Sequence, residues 1–142
     1  MISYKKRGIN LYTMKEACEK TGLSYETLKF YCNQGLVPGV ARDAQNRRIF
    51  SEQNISWINS LGCLKNCGMS IREMQDYLAL CLEGPSSIPE RKRILERKRQ
   101  ELELELKRVR DSIDYIDWKQ EFYDDILAGR KEYHSNLQPQ EE

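Results

Sequence analysis

The sequence predicts a mainly α-helical protein: a winged helix-turn-helix DNA-binding domain followed by a long dimerising coiled-coil helix. Three observations carry that expectation. Two short helical patterns flank Gly22, with cap residues in place. A basic segment punctuated by Gly and Pro follows them. Beyond residue 89, apolar residues recur with heptad spacing to the end of one long helical pattern.

The elements divide the chain into residues 1–10 as an N-terminal tail, 11–83 as the winged helix-turn-helix, 84–89 as a linker, 90–129 as the coiled-coil helix and 130–142 as a disordered tail. In LYTMKEACEKTGLSYETLKFY, Thr13 and Glu16 have the spacing of a capping box. Gly22 supplies a left-handed residue to end the first helix, and Ser24 offers an N-cap oxygen for the second. Two helices joined by so short a turn form a helix-turn-helix, whose second helix enters the major groove of DNA. The segment GLVPGVARDAQNRRIF then sets Arg42, Arg47 and Arg48 on a hairpin beside it. Ser51 caps a helix from about Glu52 to Asn66, with Ile55, Ile58, Leu61 and Leu64 on its core face. Gly68 ends that helix and Ser70 caps the next, from about Ile71 to Leu82. The run Glu83-Gly84-Pro85-Ser86-Ser87-Ile88-Pro89 breaks the pattern.

In the long helix, heptad position d reads Leu95, Leu102, Val109, Ile116 and Tyr123. Position a reads Arg99, Leu106, Ile113, Gln120 and Leu127. A helix with so narrow an apolar seam needs a partner, and a second copy of the chain supplies one. Arg99 and Gln120 are polar interruptions that help to fix register. A single amphipathic helix folded back on its own domain would carry a wider apolar stripe.

Composition narrows the classes. Of 142 residues, 32% are charged and 39% apolar, too polar for one large core, so many charges must line a solvated helix. No stretch reaches the ~18 apolar residues of a membrane span, and the N-terminus lacks a signal-type apolar region. Five cysteines with no paired CxxC framework are read as reduced thiols in a cytoplasm. The net charge of +1 conceals an asymmetry: residues 1–50 carry nine Lys or Arg against four Asp or Glu, whereas residues 111–142 carry three against nine. Phosphate binding needs a basic patch rather than a basic average. Double-stranded DNA is therefore the expected partner. No cofactor and no metal are expected, and no arrangement of Cys, His, glycine-rich loop or paired carboxylates indicates an enzyme.

Three motifs carry a resemblance that spans nearly the whole chain. They are YTMKEACEKTGLSYETLKFYCNQGLVP, the wing ending QNRRIFSEQNI, and the Gly-Met-Ser-Ile entry to the fourth helix. Together the chain resembles the MerR family of bacterial transcription regulators. The family's Thr-Leu-Arg-Tyr-Tyr run appears here as Thr27-Leu28-Lys29-Phe30-Tyr31. Lys29 keeps the charge but not the planar fork of Arg, and Phe30 lacks a hydroxyl. Cys32 stands where an acidic residue is usual. Asn46 replaces the wing glycine, a position for which Asn is suited because it tolerates positive φ. Arg47 replaces the wing tyrosine.

The resemblance implies a set of contacts. Tyr25 and Glu26, with Thr27, face base edges. Thr13, Ser24, Lys29, Tyr31, Arg42, Arg47 and Arg48 hold phosphates. Glu26 either accepts from a cytosine amino group or sits clear of the phosphates, and Tyr31 is a phosphate contact or a core aromatic, with a hydroxyl able to serve both roles. The resemblance also implies a homodimer on a palindrome between promoter elements spaced too widely for RNA polymerase, with a signal that twists the DNA to realign them.

For the signal, the absence of cysteine beyond Cys81 argues against the thiolate metal sites of metal-sensing members. WINSLGCLKNCGMSIREM resembles a subgroup linked to aldehyde, electrophile and nitrosative stress, in which a third-helix cysteine matching Cys63 is the reactive thiol. Lys65 is placed to favour its thiolate, and Cys67 is placed one turn away as a resolving partner. The residues themselves leave three readings of Cys63 open: a reactive thiol, a small buried apolar residue, or one of two metal ligands with Cys67. Cys18 is expected in the core and Cys81 near the dimer junction. A non-covalent ligand, or an architectural DNA binder without a signal, are the alternatives.

Overall fold

The computed structural model describes residues 4–6, 8–135 and 137. In chain order the elements are β1 (Tyr4–Lys6), β2 (Ile9–Thr13), α1 (Met14–Thr21), α2 (Tyr25–Asn33), β3 (Ala41–Arg42), β4 (Arg48–Ser51), α3 (Glu52–Asn66), α4 (Ile71–Glu83), a 3-10 turn (Pro85–Ser87) and α5 (Ile88–Leu127). The chain divides into two compact units, one reaching to Arg99 and one beginning at Gln100.

Local chemistry sets the helix ends in the first unit. The Thr13 hydroxyl accepts from the Glu16 amide at 3.2 Å while Glu16 Oε1 accepts from the Thr13 amide at 3.1 Å, closing the anticipated capping box. Gly22 ends α1 at φ 73°, a conformation that costs glycine nothing. Ser24, Ser51 and Ser70 each cap the following helix through the side-chain oxygen. At Ser51 and Ser70 the box is also closed in return, by Asn54 and Glu73.

The antiparallel sheet runs β1-β2-β4-β3. Two of its strands fall where the sequence was read as a tail. β2 pairs with β4, Tyr12 opposite Phe50, and β1 folds onto β2 with Tyr4 opposite Leu11. Residues 4–6 and 9–10 are thus strand rather than tail. They pair with each other across a short hairpin, Lys5 opposite Asn10 and Lys6 opposite Ile9, while Leu11 to Thr13 pair with β4 some forty residues on. The remaining residues of the expected tails, 1–3, 7, 136 and 138–142, lie outside the described residues. Arg130 and Lys131 both pair with Asp125, at 2.8 and 3.3 Å.

The core of the first unit joins Ala17 of α1, Leu28 of α2, Phe50 of β4, Ile58 and Leu61 of α3 and Met74 of α4, all buried. Leu36 lies among them, and its carbonyl accepts from Trp57 Nε1 at 2.6 Å. Asn54 is buried and donates to the Pro38 carbonyl at 2.9 Å, so one side chain serves both the α3 cap and the loop that leads to the wing.

The boundary expected at 84–89 is a corner rather than a loose connection. Ser87 is buried, and its hydroxyl donates to the carbonyls of Leu80 and Gly84. The long helix begins at Ile88, two residues earlier than the sequence suggested, because Pro89 in a first turn needs no amide partner. It ends at Leu127 rather than at Gly129, which takes φ 77° just past the end. The start of α5 belongs to the first unit: Ile94 packs against the core, and Lys98, one turn on, is 8% exposed. In the second unit the helix continues from Gln100 with its seam side chains uncovered, Leu106, Ile113 and Ile116 each about half exposed.

Candidate nucleic-acid interface

Helix α2 presents one face to the core and the other outward. Leu28 and Tyr31, three residues apart, are buried. Tyr31 is 2% exposed, so its ring is a core aromatic and does not stand among the outward contacts expected of it. Tyr25, Glu26 and Lys29 are exposed. Thr27 is half-buried, and its hydroxyl accepts from Ser24 Oγ at 2.9 Å beside the cap bond from its own amide. Those two hydroxyls therefore build the start of the helix as well as face outward.

The wing is a β3–β4 hairpin whose turn is organised by Asp43. This carboxylate accepts from the amides of Gln45 at 3.0 Å and Arg47 at 2.8 Å, and pairs with Arg47 Nε at 3.0 Å. Asn46 takes φ 60°, as anticipated from its place at the wing glycine. Arg42 Nη1 donates to the Asn46 carbonyl at 2.9 Å, and Arg48 Nη2 donates to Asn33 Oδ1 at 2.7 Å. Arg48 thereby ties the base of the wing to the last residue of α2. Two of the three guanidiniums are held by neutral groups, while Arg47 is partly neutralised by Asp43. Asp43 escaped the sequence reading, although an Asp opening a DAQN turn is the usual signal of a side chain that bonds its own backbone.

Two depressions flank α2. Between α2 and the wing lies a cleft of about 380 Å³, lined by Thr13, Lys15, Tyr25, Arg42, Arg47 and Arg48 together with Asp43 and Asn46. On the other side is an open groove of about 440 Å³, where Glu26, Thr27 and Phe30 face Lys65, Ser70 and Met74. Five of the ten sequence-predicted DNA contacts thus meet in the wing cleft and two more line the second groove. Ser24 and Lys29 line neither, and Tyr31 borders the second groove from its buried position. Lys15 and Lys65, which the sequence did not mark as DNA contacts, place an ammonium on each side of α2. Their signal was only charge, which is common on solvated helices.

The five cysteines are free thiols. Cys18 and Cys32 pack against the core, and burial pushes both thiols up from their usual range; at Cys32 the guanidiniums of Arg48 and Arg42 oppose that shift. Cys63 is exposed on α3, which removes the buried-residue reading. Cys67 is the C-cap, its amide donating to the Cys63 carbonyl at 3.0 Å. Among the described residues no cluster of three or more His, Cys, Asp or Glu side chains could hold a metal ion. Among the described residues no helix is long and apolar enough to cross a membrane.

A capped two-helix unit with an arginine-bearing wing beside its outward helix is the construction of a helix-turn-helix regulator. Residues 12–81 match the model of the MerR HTH family regulatory proteins. The chain belongs to the MerR family of helix-turn-helix regulatory proteins. It is 33% identical over 117 residues to an uncharacterised HTH-type transcriptional regulator of Haemophilus influenzae, covering 82% of this chain and 87% of that protein. It is 36% identical over 87 residues to the HTH-type transcriptional regulator AdhR of Bacillus subtilis, covering 61% of this chain and 62% of AdhR. Among solved structures it is similar to HiNmlR, a MerR family regulator lacking the sensor domain and bound to promoter DNA. There the TM-score is 0.69 at 32% identity, over 83% of this chain and 89% of that one. A putative MerR family regulator from Listeria monocytogenes gives a TM-score of 0.72 at 32% identity, with the same coverage of 83% and 89%.

Proposed function

We propose that this chain is a homodimeric transcription regulator that binds a palindromic promoter spacer and changes the twist of the DNA in response to a signal. The observation that carries the reading is the wing cleft, where Tyr25 of α2 meets Arg42, Arg47 and Arg48. With α2 in the major groove, Tyr25 and Glu26 face base edges, while the arginines and Lys15 reach the phosphates on the wing side. Lys65 takes the phosphates across the second groove. The likeness to HiNmlR, a protein solved on promoter DNA, supports the same reading.

The second unit supports the dimer. Among the described residues its apolar seam side chains stay exposed, Leu106, Ile113 and Ile116 about half so, and an amphipathic helix with one narrow stripe is stable only against a partner. Charge along α5 selects the orientation. Residues 88–110 carry nine Lys or Arg against five Asp or Glu, whereas residues 111–127 carry one against six, so the two halves differ in sign of net charge. Antiparallel pairing sets each half against its opposite, whereas parallel pairing sets like against like. RNA polymerase at the promoter is the further partner this function requires.

For the signal, the reading is covalent modification of Cys63 by an electrophile such as an aldehyde. Its exposure leaves the thiol open to reagent, and the resemblance of WINSLGCLKNCGMSIREM to the aldehyde- and electrophile-linked subgroup supports the reading. The test is transcription in vitro from the promoter upstream of its own gene, with wild type and Cys63→Ser, with and without the aldehyde. A response present in wild type and absent in Cys63→Ser, at equal DNA affinity, is the expected result. An identical response in both proteins removes Cys63 and leaves a non-covalent ligand as the signal.

A further inference from the structure

Lys98 is 8% exposed, a rare state for an ammonium, because taking that charge out of water is costly unless it is paired. It lies on α5 one turn after Ile94, and residues four apart on a helix share a face. Ile94 packs against the core of the first unit, so Lys98 is directed to the same body while its neighbours Leu95 and Arg99 stay exposed. Its Nζ meets Glu73 Oε2 of α4 at 2.5 Å. The other oxygen of Glu73 accepts from the Ser70 amide, and the Ser70 hydroxyl accepts from the Glu73 amide at 3.1 Å, so the carboxylate that receives Lys98 also closes the start of α4. Two residues along α4, Gln75 Nε2 donates to the carbonyl of Gln34, the C-cap of α2, at 2.9 Å.

Helix α4 is thus gripped from α5 at Glu73 and itself grips the end of the outward helix α2 at Gln34. Near the same end of α2, Asn33 receives Arg48 from the wing. The contacts form a continuous series from the long helix to the helix expected in the major groove.

We propose that Lys98 is a positioning residue for DNA recognition: through Glu73, α4 and Gln75 it fixes the orientation of α2 that operator sequence demands. The proposal rests on the reading that the chain binds DNA, and it adds a role that contact with DNA does not explain. It follows that loss of the Lys98 grip leaves the phosphate-binding arginines intact while misaligning the base-facing residues. Non-specific binding should then survive and specific binding should fall.

The experiment compares full-length wild type, Lys98→Met, Gln75→Ala and the double variant. Each is titrated by fluorescence anisotropy against the promoter fragment upstream of its own gene and against a shuffled duplex of equal length. Methionine keeps the length and apolar stem of Lys98, and Gln75→Ala leaves that site untouched should Lys98→Met fail to fold. The expected result is at least a tenfold fall in the specific-to-non-specific ratio for each single variant. Affinity for the shuffled duplex should stay within twofold, and the double variant should be no worse than the poorer single, since the two contacts act in series. A retained ratio in either folded single variant, an equal loss on both duplexes, or additive losses in the double overturns the proposal. If wild type shows no preference for the promoter fragment, the DNA reading itself falls and the proposal with it.

Discussion

At the scale of the single residue, the arginines of the wing have unequal standing although the sequence presents them as one cluster. Arg47 is paired with Asp43 across the hairpin turn, so its charge is partly spent inside the protein. Arg48 donates to the neutral Asn33 and keeps its full charge at the edge of the cleft. Replacing Arg48 with Ala should therefore weaken binding to all duplexes alike. It should also reduce the slope of log affinity against log salt by about 0.9, the loss of one phosphate contact. Titration between low and moderate salt measures it, and an unchanged slope would take Arg48 off the phosphates. Legibility at this scale tracked how local the chemistry is. The caps at Thr13, Ser24, Ser51 and Ser70 and the positive φ of Asn46 were readable, because each depends on neighbours within four residues. Asp43, equally local in its bonds to Gln45 and Arg47, was passed over, and Tyr31 was left between a phosphate contact and a core aromatic until the packed fold put its ring in the core.

At the scale of the element, the helices were legible from period and caps, while the first two strands and the start of α5 were not. β2 pairs with the adjacent β1 and, through Leu11 to Thr13, with β4, and only the second partner lies outside any local window of sequence. Lys98 reads in sequence as one more charge flanking a coiled coil, yet it is the buried grip of α5 on α4. That grip has a pH signature. The Glu73 carboxyl is held below its usual range, chiefly by its hydrogen bond from the Lys98 ammonium, with the Ser70 amide and hydroxyl adding to the effect. A carboxyl with a lowered folded-state pKa contributes stability that is fully present above the ordinary value, about 4.3, and is lost as pH falls through the lower folded value. The midpoint of thermal unfolding should therefore fall more steeply below about pH 4.3 in wild type than in Lys98→Met, which lacks this linkage. The other carboxylates titrate in both proteins, so the difference between the two curves isolates the pair. Parallel curves would mean that the ion pair carries no net stability across that range.

At the scale of the whole molecule, the proposed dimer carries a definite expectation of how two copies would meet along α5. In an antiparallel pair, each a position faces a d position of the other copy. One register satisfies every layer at once, centred on Asp111. It sets Leu106 opposite the partner's Ile116, Val109 opposite the partner's Ile113, and Leu95 opposite the partner's Leu127. Arg99 falls opposite the partner's Tyr123, a cation beside an aromatic face, and Gln120 falls opposite the partner's Leu102, so neither polar residue must face its own copy. A parallel pair would instead stack Arg99 on its own copy and bring the acidic halves together, which costs energy in a water-poor seam. The two arrangements differ in a distance that can be measured. A spin label at the exposed position 121 lies level with residue 101 of the other copy in the antiparallel register. The two labels would then stand about 30 Å apart along the axis, at the helical rise of ~1.5 Å per residue. In a parallel pair the same labels would lie level with each other, no more than about 20 Å apart across the pair, the ~10 Å spacing of packed helices plus their two radii. Pulsed dipolar spectroscopy on the labelled dimer should return the longer distance. A short distance would reverse the orientation, and no dipolar signal at concentrations where DNA is bound would remove the dimer.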